Sequence, residues 1–388
     1  MTRIPLVRPS LPTLGEIEGD LRVMLETGRL TNFGPFATRL EHDAAAAADV
    51  RYAAAVSSGT TALVLLLNTL PRGSEVVLPS FTFIATAQAV IWNDLIPVFA
   101  DIEPDSLNVD PRAVEACITP RTSAILAVHA FGAPCAVGEL EAIAARHDIR
   151  LFFDAAHAFG SRRDGRPVGS FGDAEVFSLS ATKLVPSGEG GLVSTNDEGL
   201  YSAILDRRNY GLDRCGTRDC AHDGLNGKLA EFNAILALRE VATLPARVRR
   251  RNQIAQRYRD RLAGMPGLTF QTVRPSDAST YKDFTVQVDP AVFGISRDDL
   301  RRSLAAESIE TAPYFWPALH QMTRFRQYLR ENTALPVTEQ VADRILSLPM
   351  FEDLDDADVD RVVRGIENAA GRAAASDRLQ ADVTVGRR

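Results

Sequence analysis

Lys183 sits in FSLSATKLVPSGEGG, a loop rich in serine and glycine between two apolar runs, EVFSLS and GLVSTN. A lysine held in a partly desolvated site loses proton affinity, and its free amine can attack a carbonyl to form a Schiff base. Two further stretches carry groups that would complement such an amine. In VSSGTTALVLLL, Gly59, Thr60 and Thr61 open a helix. Backbone N–H groups and hydroxyls at a helix start suit a phosphate, or serve as a plain N-cap. In LFFDAAHAFG, Asp154 follows an apolar run directly and His157 lies three residues later. A carboxylate there needs a cationic partner, which is either a protonated ring nitrogen on a cofactor or nothing more than the next turn to be capped. Phosphate cradle, strand-end carboxylate and loop lysine, in that order, are the parts a pyridoxal-phosphate site requires.

These residues are useful only if a scaffold brings them together. From Ser74 to about Asp197, short apolar runs (EVVLPS, IPVFADI, SAILAVHAF, RLFFDAA, EVFSLS, GLVSTN) alternate with stretches of helical length such as FIATAQAVIWND, DPRAVEACI and VGELEAIAARHD. That alternation predicts an α/β fold with a mostly parallel sheet and helices on both faces. In such sheets ligands bind beyond the carboxyl ends of the strands, where Asp154 and Lys183 fall. Gly188, Gly190 and Gly191 then allow a tight turn into the next strand. After Asn226 the pattern turns helical, with Pro245 expected to kink or break the run. The expected organisation is a large cofactor-binding domain over 1–245, a smaller C-terminal α/β domain over 246–370, and a mobile tail over 371–388. KDFTVQVD reads as a strand in the second domain, and SRDDLRRSLAAES as a helix capped by Ser296.

A chain of 388 residues with 45% apolar side chains can bury a large core. Its formal net charge of −7 argues against nucleic acid as the main partner. The basic run ARVRRR, Ala246 to Arg251, reads as a solvated helix face. No window supplies the roughly 18 apolar residues of a membrane helix, and MTRIPLVRPSLP has no apolar signal core, so the cytoplasm is the expected address and a membrane is not a partner. The four cysteines, Cys117, Cys135, Cys215 and Cys220, are too scattered for a disulfide framework. Cys215 and Cys220 with His222 lack the second cluster a zinc site needs, so no metal is expected.

SSGTTALVLLL, LPSFTFIATAQAV, IPVFADIEPDSLNVDP, VHAFG, FDAAHAFGS, FSLSATKLVPSGEGGLVSTND, GLNGKLAEFNAILAL and LSLPMFEDL together resemble the successive motifs of the DegT/DnrJ/EryC1/StrS family, sugar aminotransferases of fold type I. The resemblance runs from about residue 26 to residue 366. It implies that Lys183 holds pyridoxal 5'-phosphate and later shuttles the proton, and that Asp154 pairs with the ring nitrogen. Thr60, with backbone at Gly59 and Thr61, and Ser178 would hold the phosphate, Phe83 would stack on the ring, and His157 would sit near the ring hydroxyl. Asn226 and Lys228 match a segment that reaches the neighbouring subunit's phosphate, which implies a homodimer with shared active sites. Lys228 stands where arginine is usual, replacing a planar fork by a point charge. Phe153 replaces a common acidic residue, and Ser180 a frequent histidine. Tyr314 and His320, in APYFWPALHQM, lie where the small domain would approach the substrate, and either could equally be packing.

The implied chemistry has two halves. L-Glutamate gives up its amino group and leaves as 2-oxoglutarate, producing pyridoxamine 5'-phosphate; a nucleotide-linked keto sugar, dTDP-linked by analogy, then takes the amine. ATK followed by GEGG looks closer to members that act on C4 of 4-keto-6-deoxyhexoses than on C3, which places the enzyme in amino-sugar synthesis for a glycosylated natural product. The alternatives are a C3 or aminocyclitol aminotransferase, a sugar dehydratase, in which histidine replaces the lysine, and a non-catalytic regulator that binds pyridoxal phosphate.

Overall fold

The computed structural model describes residues 2–385 except 215, 216, 218 and 332, with the backbone alone for 373–385. Cys215 and the end of the expected tail therefore lie outside the described residues. The centre of the molecule is a seven-stranded sheet: β1 (Tyr52–Val56), β2 (Glu75–Pro79), β3 (Ile96–Ala100), β4 (Thr122–Val128), β5 (Arg150–Asp154), β6 (Ala174–Ser178) and β7 (Gly191–Thr195). Its order is β1-β7-β6-β5-β4-β2-β3, and every pairing is parallel except the two made by β7. Six strands thus point one way and end on one edge.

Strand β1 falls outside the alternation read from the sequence. Its run YAAAV carries little β-branched signal, yet burial on both sides makes it a strand. Ala53 and Ala55 pack into one layer, Ala54 and Val56 into the other. The two-residue period of a strand sends neighbours to opposite faces, and alanines leave room for helices on each. One layer holds α2 (Pro35–Ala48), α6 (Val137–His147) and the first half of α8 (Glu231–Leu262); the other holds α3 (Gly59–Leu67) and α4 (Ile84–Trp92).

The C-terminal part contains a three-stranded antiparallel sheet, β8 (Leu268–Phe270), β9 (Phe284–Val288) and β10 (Ile345–Leu348), covered by α10 (Arg297–Ala306) and α12 (Asp356–Val385). Ser296 caps α10 as expected, its hydroxyl accepting from Asp299 N–H at 3.2 Å. Ile4 also belongs to this layer, bridging to Ile309.

Two expectations for α8 need correcting. Pro245 does not break it: the helix runs 32 residues with the proline inside. Leu244 and Val248 are both buried in the large core, so tertiary packing on each side offsets the missing N–H. Nor is ARVRRR simply a solvated face. Arg247 and Arg251 are buried, Arg247 paired with Glu240 and Glu352, and Arg251 Nε donating to Glu352 Oε1 at 2.8 Å. The run is basic because it crosses the junction between the two cores and meets an acidic side chain there. No helix among the described residues is long and apolar enough to cross a membrane.

Candidate active site

The strand ends converge on a cavity of about 370 Å³ lined by residues from β1, β2, β4, β5 and β6 ends and from the C-terminal part. After β1 the chain turns through Ser57 and Ser58 into α3. Ser58 Oγ accepts from Thr61 N–H at 3.0 Å, and the Thr61 hydroxyl contacts Ser57 and Ser58 at 3.0 and 2.9 Å. Thr61 is therefore spent on the cap, and its hydroxyl does not line the cavity. Gly59 and Thr60 do, opposite Ser178 at the end of β6. A Cβ on Gly59 would lie 2.8 Å from Ser178 Cβ, so only glycine lets the helix start approach β6 this closely.

Asp154 closes β5 and is buried. Its Oδ2 accepts from the Thr86 hydroxyl at 2.7 Å and its Oδ1 from Ala156 N–H at 3.1 Å. Burial pushes its carboxyl up, against the opposing effects of those two donors and of Lys183. His157 packs against the stacked pair Phe131 and Phe315, with ring centroids 6.3 and 6.1 Å away. Its Nδ1 is buried without a hydrogen-bond partner, and burial holds the imidazole well below its ordinary pKa, so it is neutral. Behind the site His129 Nδ1 accepts from Cys135 N–H at 2.9 Å, which leaves Nε2–H to face Glu175 Oε2 at 3.1 Å.

Lys183 lies in the loop between β6 and β7. Asn233 Nδ2 on α8 pins that loop, donating to Ser187 O and Glu189 O at 2.7 and 2.8 Å. Desolvation, with Lys282 adding like-charge repulsion, lowers the Lys183 ammonium to about 8. The free amine is thus accessible near neutral pH, as a carbonyl nucleophile requires.

Of the residues singled out from sequence, the structure brings Gly59, Thr60, Phe83, Asp154, His157, Ser178, Lys183 and Tyr314 to this one cavity. Phe83 is not core: it is 57% exposed at the start of α4. Asn226 and Lys228 do not line it; Lys228 Nζ sits 4.4 Å above the Tyr210 ring and 3.3 Å from Asn209 Oδ1. His320 is also kept away, buried with Nδ1 2.7 Å from Ser80 Oγ and Nε2 3.2 Å from Glu339. Thr86, Lys282, Asp283 and Phe315 were missed. The spacing of Thr82 and Thr86, hydroxyls 3.0 Å apart across the start of α4, was a usable signal. So was the charged pair Lys282–Asp283 placed directly before the buried strand β9.

The profile of the DegT/DnrJ/EryC1/StrS aminotransferase family matches residues 14–367. The chain belongs to this family. It is 33% identical over 363 residues to an Escherichia coli dTDP-4-amino-4,6-dideoxy-D-glucose transaminase, covering 93% of this chain and 97% of that one. Among solved structures, DesI in the presence of its TDP-sugar product is similar at 37% identity and a TM-score of 0.91, covering 98% of this chain and 96% of that one. S. venezuelae DesV in complex with a ketimine intermediate is similar at 31% identity and a TM-score of 0.88, covering 95% and 99%. The enzyme is an aminotransferase with the fold type I architecture. Its cavity fits pyridoxal phosphate on three counts of this chain's own. Asp154 is a buried acid in need of a cation, His157 Nδ1 is an unpartnered polar atom, and Gly59 opens a cradle at a helix N-terminus.

Proposed function

We propose that this enzyme transfers the amino group of L-glutamate to C4 of a dTDP-linked 4-keto-6-deoxyhexose. The donor's C–N bond is exchanged for a C=O, releasing 2-oxoglutarate, and the sugar's C=O becomes C–NH2. The observation that carries the reading is the convergence of Lys183, with its proton affinity lowered, on a cavity shared with buried Asp154 and the helix start at Gly59. The 4-amino-sugar transaminase relative and the TDP-sugar bound by DesI support the acceptor.

Pyridoxal phosphate, when bound, supplies an electron sink for the carbon that loses its proton. The chain's residues do the rest. The Lys183 amine would hold the carbonyl carbon of the group and, once freed, would take the proton from the donor's α-carbon. Asp154, fixed by Thr86 and the Ala156 N–H, would hold the ring nitrogen protonated. Gly59, Thr60 and Ser178 would hold the phosphate, and Phe83 would cover one ring face. Asn226 and Lys228, which do not line their own subunit's cavity, would serve the neighbouring one in a homodimer.

The test is an absorbance spectrum of the protein loaded with pyridoxal phosphate, followed by L-glutamate and then dTDP-4-keto-6-deoxyglucose. The visible band should fall with glutamate and return with the sugar, with a new 4-amine in the product. A band that falls but does not return rejects the acceptor; a protein that gains no band rejects the cofactor site.

A further inference from the structure

Lys282 and Asp283 form a buried ion pair on the cavity wall that the cofactor roles do not use. Lys282 Nζ lies 3.0 and 3.1 Å from the two Asp283 oxygens, and both residues are nearly inaccessible although both line the cavity. Desolvating such a pair costs several kcal/mol per ion, so it is poorly explained as a device for stability. Its backbone is also held in place. Lys282 N–H donates to Phe131 O at 3.0 Å, while Arg251 Nη1 donates to Tyr281 O and Lys282 O at 2.9 and 3.2 Å. Tyr314 presents its ring face 5.8 Å from Nζ.

The charge inventory narrows the purpose. Lys183 and Lys282 are the two cations among the lining residues. Lys183 is committed to the carbonyl and the proton. An aminotransferase must receive two substrates at one place, and they differ in charge beside the reacting carbon. A keto sugar presents neutral hydroxyls there, whereas an amino acid presents its α-carboxylate. An ammonium has three N–H donors, Asp283 accounts for at most two, and no other acceptor for Nζ is present among the described residues.

We infer that Lys282 is the donor-binding cation, which takes the amino acid's carboxylate in the first half-reaction. In the second half-reaction it stays paired with Asp283 and meets the sugar as a neutral couple that can both give and accept a hydrogen bond. The inference deepens the proposed function and rests on an amino-acid donor. Arg251 acts through Lys282 as a positioning residue.

The test separates the two half-reactions. Glutarate, a dicarboxylate without an amine, is titrated calorimetrically into the cofactor-loaded wild type, Lys282→Gln and Lys282→Arg. Loss of a charge-assisted bond predicts that Lys282→Gln weakens glutarate binding, and raises the L-glutamate needed for half-saturation, by roughly 10- to 100-fold. The half-reaction with keto sugar slows several-fold less than the half-reaction with L-glutamate, and Lys282→Arg restores most of the glutarate affinity. The double variant Lys282→Gln, Asp283→Asn leaves no buried charge unpaired and should lose affinity in the same way, which guards against misfolding of the single variant. Unchanged glutarate affinity overturns the inference. So does equal slowing of both half-reactions, because that is the signature of Lys282 acting only on the proton affinity of Lys183. A wild type that ignores L-glutamate would reject the donor named under the proposed function, and glutarate binding would still decide whether Lys282 holds a carboxylate.

Discussion

Replacing Thr86 by valine removes one hydroxyl and preserves the shape of α4, so it isolates what that hydroxyl does. The hydroxyl lies 2.7 Å from Asp154 Oδ2, while Ala156 N–H continues to serve Oδ1. A hydrogen bond to a charged group contributes about 1.5–3 kcal/mol. Thr86 is also the strongest influence lowering the Asp154 pKa against burial. Without it the carboxyl moves further up, toward the neutral acid that cannot compensate a cationic ring nitrogen. Apoprotein titrated with pyridoxal phosphate should therefore show an affinity roughly 10- to 100-fold below wild type, since each 1.4 kcal/mol is about tenfold. The cofactor-induced gain in stability should shrink by about 1.4 kcal/mol for each tenfold loss. Thr86→Ser should retain wild-type affinity because it keeps the hydroxyl. If Thr86→Val binds the cofactor as tightly as wild type, or if Thr86→Ser is equally weak, the assignment of Thr86 as the partner that keeps Asp154 ionised is wrong.

Gly59→Ala forces a Cβ to within 2.8 Å of Ser178 Cβ; overpacking of about 1–3 kcal/mol is expected in chemical denaturation, together with weaker retention of inorganic phosphate. The rate at which apoprotein captures pyridoxal phosphate should rise with pH through a midpoint near 8, because the lowered Lys183 pKa makes the free amine the major form only above it; a midpoint close to that of a free lysine would reject the desolvated site. Arg251→Ala leaves Glu352 short of one partner and the carbonyls of Tyr281 and Lys282 without their donor, so urea unfolding should show a loss of about 3–5 kcal/mol. His320→Ala should lower the melting temperature yet keep the wild-type KM for the sugar, since its ring bonds Ser80 and Glu339 away from the cavity; a large rise in KM would return it to the substrate site.

What the sequence revealed follows from the range of the forces involved. Apolar runs with flanking turns marked six strands of the large sheet, because a strand buried on both faces needs continuous apolar residues. YAAAV was not legible, as alanine is equally at home in a helix and its strand state is decided by neighbours on both sides. Lys183, Asp154 and the Gly59 turn were legible because each is a polar group in a place where burial would otherwise be costly. Lys282 and Asp283 satisfy that same criterion, yet at the head of the strand KDFTVQVD their types alone do not distinguish a buried pair from an exposed one. Thr61 and His320 show the converse limit. Their types suited the site, and only three-dimensional bonding reveals that the cap and Ser80 had already claimed them. Pro245 does not break α8 because two cores grip the helix on either side, which a local backbone penalty does not weigh.

The continuity of α8 has a geometric consequence. Ala234, Ile235, Ala237 and Leu238 at one end are set in the large core, and Ile254, Ala255, Tyr258 and Leu262 at the other are set in the small one. The helix is then a crankshaft whose two sets of cams share a fixed phase. Inserting one residue between Val248 and Arg251 would turn the far set by about 100° and advance it about 1.5 Å. Arg251 would turn away with it, and the chain at Tyr281 and Lys282 would lose its hold. Length changes along this stretch should therefore be far less tolerated than insertions in surface loops; an added seven residues, about two whole turns, comes near to restoring the phase but shifts the far set by about 10 Å along the axis.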